Sequence, residues 1–298
     1  MQALQYRSYG GPEVLTVGPA PDPQPGPGQV RIQVRAVGAN ALEWKLRGGH
    51  LAQGEPLAAP AFLGFEAAGV VDALGEGVTD VAMGDDVFGL GSNTAAELAL
   101  LDAWARKPAA VDWAVAGGAA VATETSIRAL DLLAVGAGST VLVDGGAGGV
   151  GAVAVQVAVA RGATVLATAG EHNLGYLAEI GATPVPYGEG MVDRVLALRP
   201  AGLDAVLDVA GKSSPTELVR LVPEPPQVVS IANFSGEAGI RSTGGGESDR
   251  RAAMAEAARM LEQNQLVIKV QTFPLARAAE VHQIMESGHG RGKLVLLP

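Results

Sequence analysis

Residues 141–151 read Val-Leu-Val-Asp-Gly-Gly-Ala-Gly-Gly-Val-Gly, and the apolar run Ala152 to Ala160 follows them directly. The first three residues predict a buried strand, the glycines a tight turn, and the apolar run a helix. Gly146, Gly148 and Gly151 have the spacing G-x-G-x-x-G, in which the missing Cβ atoms permit the turn, the approach of a pyrophosphate and close helix packing. The stretch therefore predicts a dinucleotide bound at the N-terminus of a helix.

The neighbouring sequence supports this interpretation of the glycine motif. A second strand is predicted at Ala163 to Thr168, at the distance expected in a β-α-β unit. The alternative, a glycine-rich turn that binds nothing, fits less well with a strand before the turn and a helix after it. We expect these residues of the motif to contact a cofactor: Gly146, Ala147, Gly148, Gly149, Val150 and Gly151.

Composition bounds the class of protein. With 298 residues, 48% of them hydrophobic, the chain can form a core in each of two domains. The net charge of −10 argues against binding to nucleic acid or to an anionic membrane, because both need clustered Lys and Arg. We expect a small, neutral, apolar substrate. The N-terminus lacks the pattern of a signal peptide and no apolar run could span a bilayer, which predicts a cytoplasmic protein.

The apolar pattern divides the chain into a β-rich part and a mixed part. Gln29 to Val37 alternates apolar and polar residues, as a half-buried strand does, and more short strands are predicted after it. From Asp112 the period changes from 2 to 3.6, and strands and helices then alternate as in a doubly wound parallel sheet. Ser235 to Ser248 predicts a loop. The closing strand, Leu294 to Leu297, is expected to pair within the N-terminal β domain.

Four segments together resemble the medium-chain dehydrogenase/reductase superfamily, in its zinc-independent quinone oxidoreductase-like and enoyl reductase-like branch. They are Tyr9 to Leu15, Gly38 to Arg47, the glycine stretch, and Glu286 to Lys293. The resemblance implies a chaperonin-10-like β-barrel domain interrupted by a Rossmann domain, with the active site in the cleft between them. We place the barrel domain at residues 1–112 and 274–298, and the Rossmann domain at 113–273.

The residues that bind zinc in other members of that superfamily are missing here. Those members place Cys and His in the segments that match Gly38 to Lys45 and Gly64 to Glu66, whereas this chain has no cysteine and carries Phe65 where they have His. His282 and His289 are separated by a glycine that should end their helix. We therefore expect no metal. Without a Lewis acid, the natural chemistry of NAD(P)H is reduction of an activated acceptor, a quinone or an α,β-unsaturated carbonyl.

The resemblance suggests three residues near the reacting atoms. Asn40 matches an asparagine that lines the active site of similar reductases and could donate a hydrogen bond to a substrate carbonyl, or it could cap the following helical turn. His50 lies near where many relatives carry a proton-donating tyrosine, and is either a proton donor or a solvated loop residue. Thr125 corresponds to a threonine near the nicotinamide, although Glu124 beside it departs from the small or apolar residue expected.

The cofactor preference depends on the end of the second Rossmann strand. An NAD-specific site carries an acid there for the ribose 2′-hydroxyl, but the strand ends in Ala169-Gly170, and Glu171 falls beyond it, where an acid favours the first turn of a helix. Tyr187 matches a tyrosine near the adenosine phosphate of NADPH-using relatives, with His172 where those often carry a basic residue. NADPH is the predicted cofactor and NADH the alternative. The further contacts of the cofactor are predicted to be Ala169, Gly170, His172, Tyr187, Ile231 and Lys293.

The leading hypothesis is therefore a homodimeric, NADPH-dependent reductase of quinones or enones. One alternative is a dinucleotide-binding sensor or pseudoenzyme without turnover, which the missing tyrosine and the missing basic residue would favour. Another is a non-redox step on an activated carbonyl.

Overall fold

The computed structural model describes residues 1–52, 54–57, 60–245, 248–288 and 292–298. Its strands are β1 (Gln2–Tyr6), β2 (Thr16–Pro19), β3 (Val30–Ala39), β4 (Ala61–Phe62), β5 (Glu66–Leu74), β6 (Asp86–Ser92), β7 (Leu98–Arg106), β8 (Thr140–Asp144), β9 (Thr164–Ala169), β10 (Thr183–Pro186), β11 (Ala205–Asp208), β12 (Val228–Ser230), β13 (Arg241–Ser242), β14 (Val270–Pro274) and β15 (Lys293–Leu297). Its α-helices are α1 (Ala41–Arg47), α2 (Trp113–Gly117), α3 (Ala120–Leu132), α4 (Gly151–Ala160), α5 (Leu174–Glu179), α6 (Met191–Leu198), α7 (Pro215–Leu218), α8 (Arg250–Glu262) and α9 (Ala278–Ser287). Among these residues, no helix combines the length and apolar character that a membrane crossing requires.

The chain forms two units, which we call the barrel unit (residues 1–121 and 249–298) and the Rossmann unit (residues 122–248). The sequence placed the boundaries at 112/113 and 273/274 instead. The difference at the second boundary comes from α8 and β14. Arg251 of α8 stacks 3.7 Å from the ring centre of Trp104 in β7 and pairs with Asp80, and β14 pairs in parallel with β15. Both elements therefore belong to the barrel unit.

Strand β3 is the centre of the barrel unit. Val30 and Ile32 are fully buried while Gln33 and Arg35 are exposed, which is the alternation that the sequence predicted. The main sheet has the order β14-β15-β3-β5-β6-β7, and β7 also pairs with β3, so the sheet closes on itself. Pairing of Leu294 with Ala39 in antiparallel register confirms that the closing strand belongs to this domain. Closure removes sheet edges that would otherwise be exposed.

The Rossmann unit is built on a parallel sheet with the order β10-β9-β8-β11-β12-β13. Val141, Leu142 and Val143 of β8 are fully buried, as apolar strands of parallel sheets are. The glycine turn joins β8 to α4, which confirms the strand-turn-helix prediction. The carboxyl ends of these strands, where ligands bind in open parallel sheets, carry the predicted cofactor residues.

Some elements differ from the sequence prediction. The change of period that the sequence places at Asp112 corresponds to two helices, α2 and α3, of which α3 begins at Ala120 in an alanine-rich stretch that favours a helix. Strand β10 was missed because of Pro184 and Pro186, which are tolerated since β10 is an edge strand that pairs only with β9. The predicted loop Ser235 to Ser248 contains the short strand β13, and its residues 246 and 247 lie outside the described residues.

Candidate active site

The glycine motif forms a cradle in the Rossmann unit. A Cβ on Gly151 would lie 2.1 Å from the carbonyl oxygen of Gly145, and one on Gly146 would lie 2.7 Å from the Cβ of Ala167. Packing therefore requires these two glycines. At Gly148 an added Cβ would meet only the Gly145 oxygen, at 3.6 Å, so this backbone faces open space beside the first turn of α4. Free N–H groups of a helix start and a bare backbone fit a pyrophosphate.

A buried threonine holds the start of this turn. Gly145 has a φ of 95°, a conformation that favours glycine, and its N–H donates to the hydroxyl of Thr168 over 2.9 Å. The N–H of Gly146 donates to the carbonyl of Thr168, also over 2.9 Å. The Thr168 hydroxyl in turn donates to Asp144 Oδ1 over 2.5 Å. The hydroxyl is thus engaged within the protein, under the turn that it positions.

The residues predicted to contact the adenosine end lie together beyond β9. A Cβ on Gly170 would lie 3.2 Å from His172 Cε1 and 3.3 Å from Tyr187 Cε1. The N–H of Tyr187 donates to the carbonyl of Ala169 over 3.2 Å. The Tyr187 side chain is 61% exposed, and His172 and Glu171 are exposed as well. All three side chains are exposed, although His172 Nε2 is hydrogen-bonded to Asn173 Nδ2 at 3.2 Å, and their predicted roles stay predictions.

Sequence reasoning missed an arginine that shapes this corner. Arg194 of α6 donates from Nη2 to the carbonyls of Pro186 and Tyr187, at 2.9 and 3.3 Å, and from Nη1 to the carbonyl of Glu189 at 2.9 Å. Its guanidinium therefore fixes the turn that presents Tyr187. It also places positive charge beside the predicted nucleotide-phosphate position, where the sequence had indicated none.

Helix α3 brings Thr125 beside the glycine turn. Ser126 donates to the carbonyl of Val150 over 3.3 Å, and the Thr125 hydroxyl donates to Glu124 Oε2 over 3.3 Å. Glu124 accepts from Arg128 Nε at 2.7 Å and from Ser248 at 2.5 Å. Burial raises the pKa of Glu124, but the hydrogen bonds from Arg128 and Ser248 outweigh it and leave the pKa lowered. The unexpected acid at 124 is thus an anion that ties α3 to the end of the predicted loop.

Ile231, the remaining predicted cofactor contact in this unit, directly follows β12. Its N–H donates to the carbonyl of Asp208 over 3.0 Å, and its side chain is half-buried. It therefore lies at the carboxyl edge of the sheet, two strands from β8.

Asn40 and Lys293 meet in a buried polar network of the barrel unit. Lys293 Nζ donates to Glu66 Oε1 at 2.7 Å, to Asn40 Oδ1 at 2.6 Å and to the carbonyl of Ala39 at 3.3 Å. Asn40 Nδ2 donates to Glu66 Oε1 at 2.9 Å and to the carbonyl of Gly38 at 3.2 Å. The Lys293 and Glu66 side chains are 3% and 0% exposed. Both predicted site residues therefore have their polar atoms occupied inside the protein.

A second buried carboxylate adjoins this network. Asn40 is the N-cap residue of α1, and its N–H donates to Glu43 Oε1 over 3.0 Å, while Glu43 Oε2 has no partner. Burial raises the pKa of Glu43 to about 8, although the hydrogen bond from Asn40 and the charge of Lys293 oppose the increase. At neutral pH Glu43 is therefore largely protonated, and Glu66 with Lys293 forms the charged pair.

His50 lies one turn beyond α1. It is exposed, and its ring packs edge-on against Trp44 with 5.4 Å between the ring centres. The role of His50 as a proton donor stays a prediction.

Within the described part of the chain, no group of three or more His, Cys, Asp or Glu side chains is arranged to hold a metal ion. Gly288, with a φ of 68°, ends α9 as the sequence predicted, and His289 beyond it lies outside the described residues. His282 within α9 is fully buried, and neither ring nitrogen has a partner. Burial, and then the charge of Arg47, lower the pKa of His282 to about 3. Metal independence stays a prediction.

Comparison with known proteins identifies the family. Residues 26–119 match the family described as alcohol dehydrogenase GroES-like domain, and residues 180–296 match the one described as zinc-binding dehydrogenase. The chain is 30% identical to the chloroplastic NADPH-dependent alkenal/one oxidoreductase of Arabidopsis thaliana, over 100% of this chain and 80% of that protein. The chain belongs to the medium-chain dehydrogenase/reductase superfamily. Within that superfamily it is an oxidoreductase of the quinone oxidoreductase-like branch.

Solved structures of the superfamily agree with the fold. The quinone oxidoreductase of Coxiella burnetii matches with a TM-score of 0.86 and 27% identity, over 100% of this chain and 99% of that one. Mycobacterial Rv1454c complexed with NADPH also matches with a TM-score of 0.86 and 27% identity, over 100% of both chains. The predicted fold class, a chaperonin-10-like domain with a Rossmann domain, is confirmed.

Four buried carboxylates near these sites were missed by the sequence reasoning: Glu43, Glu66, Asp144 and Asp208. The last two end the apolar strands Val141-Leu142-Val143-Asp144 and Ala205-Val206-Leu207-Asp208. A carboxylate in or at the end of an apolar strand is seldom buried without a partner. That pattern could have predicted that Asp144 and Asp208 are hydrogen-bonded inside the protein, although it could not have identified their partners.

Proposed function

We propose that this oxidoreductase uses NADPH to reduce a quinone or the C=C bond of an α,β-unsaturated carbonyl, without a metal. The observation that carries the proposal is the open backbone at Gly148, set between two glycines whose absent Cβ atoms are required by packing. Packing accounts for the glycines at 146 and 151 but not for Gly148. A pyrophosphate bound at the start of α4 would account for Gly148.

The other residues of the Rossmann unit support the same cofactor. NADPH, when bound, supplies a hydride. Gly170 leaves room beside His172 and Tyr187, where a ribose 2′-phosphate would meet an imidazole and a phenol rather than a carboxylate. Glu171, the candidate for an NAD-type acid, is exposed one residue further along the chain. These features favour NADPH over NADH.

The barrel unit offers two groups toward the substrate oxygen. Both hydrogens of the Asn40 amide have acceptors, Gly38 and Glu66, so a substrate oxygen must displace one of them before Asn40 can hold it. His50 is exposed and needs no such displacement. We therefore assign protonation of the product to His50 or to water, and orientation of the substrate oxygen to Asn40.

The acceptor class rests on the relatives. The Arabidopsis relative is named for alkenals and alkenones, and the Coxiella protein for quinones. Both acceptors have a conjugated carbonyl that accepts a hydride without a Lewis acid. Such acceptors suit this chain, because it has no cysteine to bind a catalytic zinc ion.

The decisive experiment is anaerobic NADPH consumption against a panel of quinones and enones, with and without a chelator. We expect turnover of at least one acceptor, unchanged by the chelator. Binding of NADPH without oxidation by any acceptor would instead identify a sensor or pseudoenzyme. Stoichiometric zinc in the active protein, with activity lost on its removal, would contradict metal independence.

We further propose a cytoplasmic homodimer acting on a small, neutral, apolar substrate. Light scattering of the purified protein at several concentrations tests the dimer, since a constant monomer mass contradicts it.

A further inference from the structure

Four side chains form a row across the carboxyl edge of the Rossmann sheet. Asp144 ends β8 and Asp208 ends β11, and the two are register partners on neighbouring parallel strands. Thr168 on β9 flanks Asp144, and Ser230 on β12 is the register partner of Asp208. The exposed fractions of Thr168, Asp144, Asp208 and Ser230 are 1%, 2%, 1% and 0%. We call these four residues the edge row.

The two carboxyl groups of the edge row have unequal sets of donors. Asp208 accepts from Ser230 at 2.6 Å and from the N–H groups of Gly211 and Ala210 at 2.7 and 3.1 Å. Asp144 accepts from Thr168 at Oδ1, while its buried Oδ2 has no partner in the part of the chain that the structure describes. Asp208 therefore accepts three hydrogen bonds from described residues, whereas Asp144 accepts one and has an oxygen without a donor.

Among the described residues, no cation pairs with either carboxyl group of the edge row. The partners found for both carboxyls in the described chain are hydroxyl and backbone N–H groups. The packed helix α4 contains no charged residue, and Arg128 of α3 pairs with Glu124. Lys212, in the loop after β11, is exposed. Burial and then the neighbouring Asp144 raise the pKa of Asp208, against the hydrogen bonds that lower it.

Two adjacent buried carboxylates without a cation do not both ionise at neutral pH. We propose that Asp144 and Asp208 share one proton and that the protonated pair positions the three loops of the cofactor site. Asp144 Oδ2 is the oxygen of the pair that has no donor among the described residues, so it is the atom at which a shared hydrogen bond can be added. The step is a simple uptake of one proton from solvent by the doubly ionised pair.

The edge row is connected to each loop that follows its strands. Thr168 accepts from the N–H of Gly145 at the start of the glycine turn. Asp208 holds the loop after β11 through Gly211, whose φ is 63°. Ser230 accepts from the N–H groups of Ala232 and Asn233, at 3.1 and 2.8 Å. Loss of the shared proton would place a second negative charge among these three loops.

This gives a link between pH and cofactor affinity, which rests on the proposed function. NADPH is an anion, and a second negative charge beneath the turn that we propose it contacts would weaken binding by roughly threefold to tenfold. We expect NADPH to bind less tightly as the pH rises from 6.5 to 9, with uptake of a proton on binding at the upper end. Asp144→Asn, which keeps the shape and supplies a permanent donor, should show no such dependence.

The first experiment needs no cofactor. The infrared spectrum of the parent protein at pH 7 should contain the carbonyl band of a buried protonated carboxyl group that disappears in Asp144→Asn. Glu43→Gln identifies the separate band expected from the barrel unit. Asp204→Asn is the matched control, because Asp204 is an exposed carboxylate in the same unit that accepts an N–H bond from Thr140. It should leave both bands unchanged.

The second experiment measures unfolding against pH. Between pH 5 and 8, the unfolding equilibrium constant of the parent should rise by up to about tenfold more per pH unit than that of Asp144→Asn. Equal slopes, or no carboxyl band lost in Asp144→Asn, would overturn the shared proton. If Asp144→Asn does not fold, loss of the band as the parent is titrated to pH 9 gives the same decision. If the shared proton is found but the protein does not bind NADPH, only the proposed function is contradicted.

Discussion

Lys293 and Glu66 form an ion pair 2.7 Å long across a sequence separation of 227 residues, with both side chains removed from solvent. Asn40 is hydrogen-bonded to both members. An added Cβ on Gly38 would lie 2.3 Å from Glu66 Oε1, so this glycine makes room for the carboxylate. The network thus joins β15 and β5 to the end of β3.

Removing the cation of this pair should be costly. Lys293→Met leaves Glu66 buried without its counter-charge, which destabilises proteins by about 3–5 kcal/mol. Urea unfolding of the barrel unit measures the loss. The double variant Lys293→Met/Glu66→Gln should recover part of the stability, and Arg277→Met, which breaks the exposed Arg277–Glu280 pair, should change it little. A loss from Lys293→Met no larger than that of Arg277→Met would contradict the assignment.

Glu43 should make the protein less stable as the pH rises. Its pKa in the folded state is about 8, above the ordinary value of 4.5, so the folded state binds the extra proton. The free energy of unfolding should therefore fall between pH 4.5 and 8, by at most about 1.4 kcal/mol per pH unit. Glu43→Gln should remove this contribution. Identical pH profiles for parent and variant in denaturant titrations would show that Glu43 is ionised in the fold.

His282 should make the protein more stable as the pH rises, which is the opposite of the effect of Glu43. Its pKa is about 3 in the folded state against 6.5 ordinarily, so the unfolded state binds the extra proton. Its contribution to stability is complete above pH 6.5 and is lost as the pH falls toward 3. His282→Gln should be less sensitive to acid than the parent. Acid unfolding followed by circular dichroism tests this, and a midpoint pH that stays the same in the variant would refute it.

Two glycines of the motif should respond differently to substitution. Gly148→Val should fold, because its Cβ faces open space, and should abolish dinucleotide binding by filling the cradle. Gly151→Ala should instead destabilise the Rossmann unit, since its Cβ would meet the Gly145 oxygen at 2.1 Å. Calorimetric titration with NADPH and thermal unfolding separate the two effects. Unchanged NADPH affinity in Gly148→Val would contradict the cofactor site.

NADPH should bind more tightly than NADH, by about tenfold to a hundredfold, because the guanidinium of Arg194 is engaged by backbone carbonyls and does not offer the bidentate fork that would give a larger preference. His172→Ala should reduce the ratio of the NADH and NADPH dissociation constants. Glu171→Ala is the control and should leave the ratio unchanged. Tighter binding of NADH by the parent, selectively weakened in Glu171→Ala, would make Glu171 the ribose-binding acid and reverse our interpretation of the β9 terminus.

The sequence predicted the main strands and helices well and the buried polar contacts poorly. Periodicity and glycine spacing located β3, β8 and α4, because both signals come from neighbours along the chain. Contacts such as Lys293 with Glu66, or Asp144 beside Asp208, join strands that are distant in sequence, and a local pattern contains no information on which strands pair. The second domain boundary differs from the sequence prediction for the same reason, since Arg251 of α8 packs on Trp104 of β7, which is distant in sequence.

The position of β15 has a consequence for synthesis of the protein on the ribosome. Every residue of the Rossmann unit has left the exit tunnel once residue 248 has emerged, and the partners found for Asp144, Thr168, Asp208 and Ser230 in the described chain all precede it. The barrel unit begins earlier in the chain but lacks β15 and the cation for Glu66 until Lys293 to Leu297 emerge. The Rossmann sheet can therefore form while Glu66 still lacks its counter-charge, and the barrel sheet cannot be completed before β15 is synthesised.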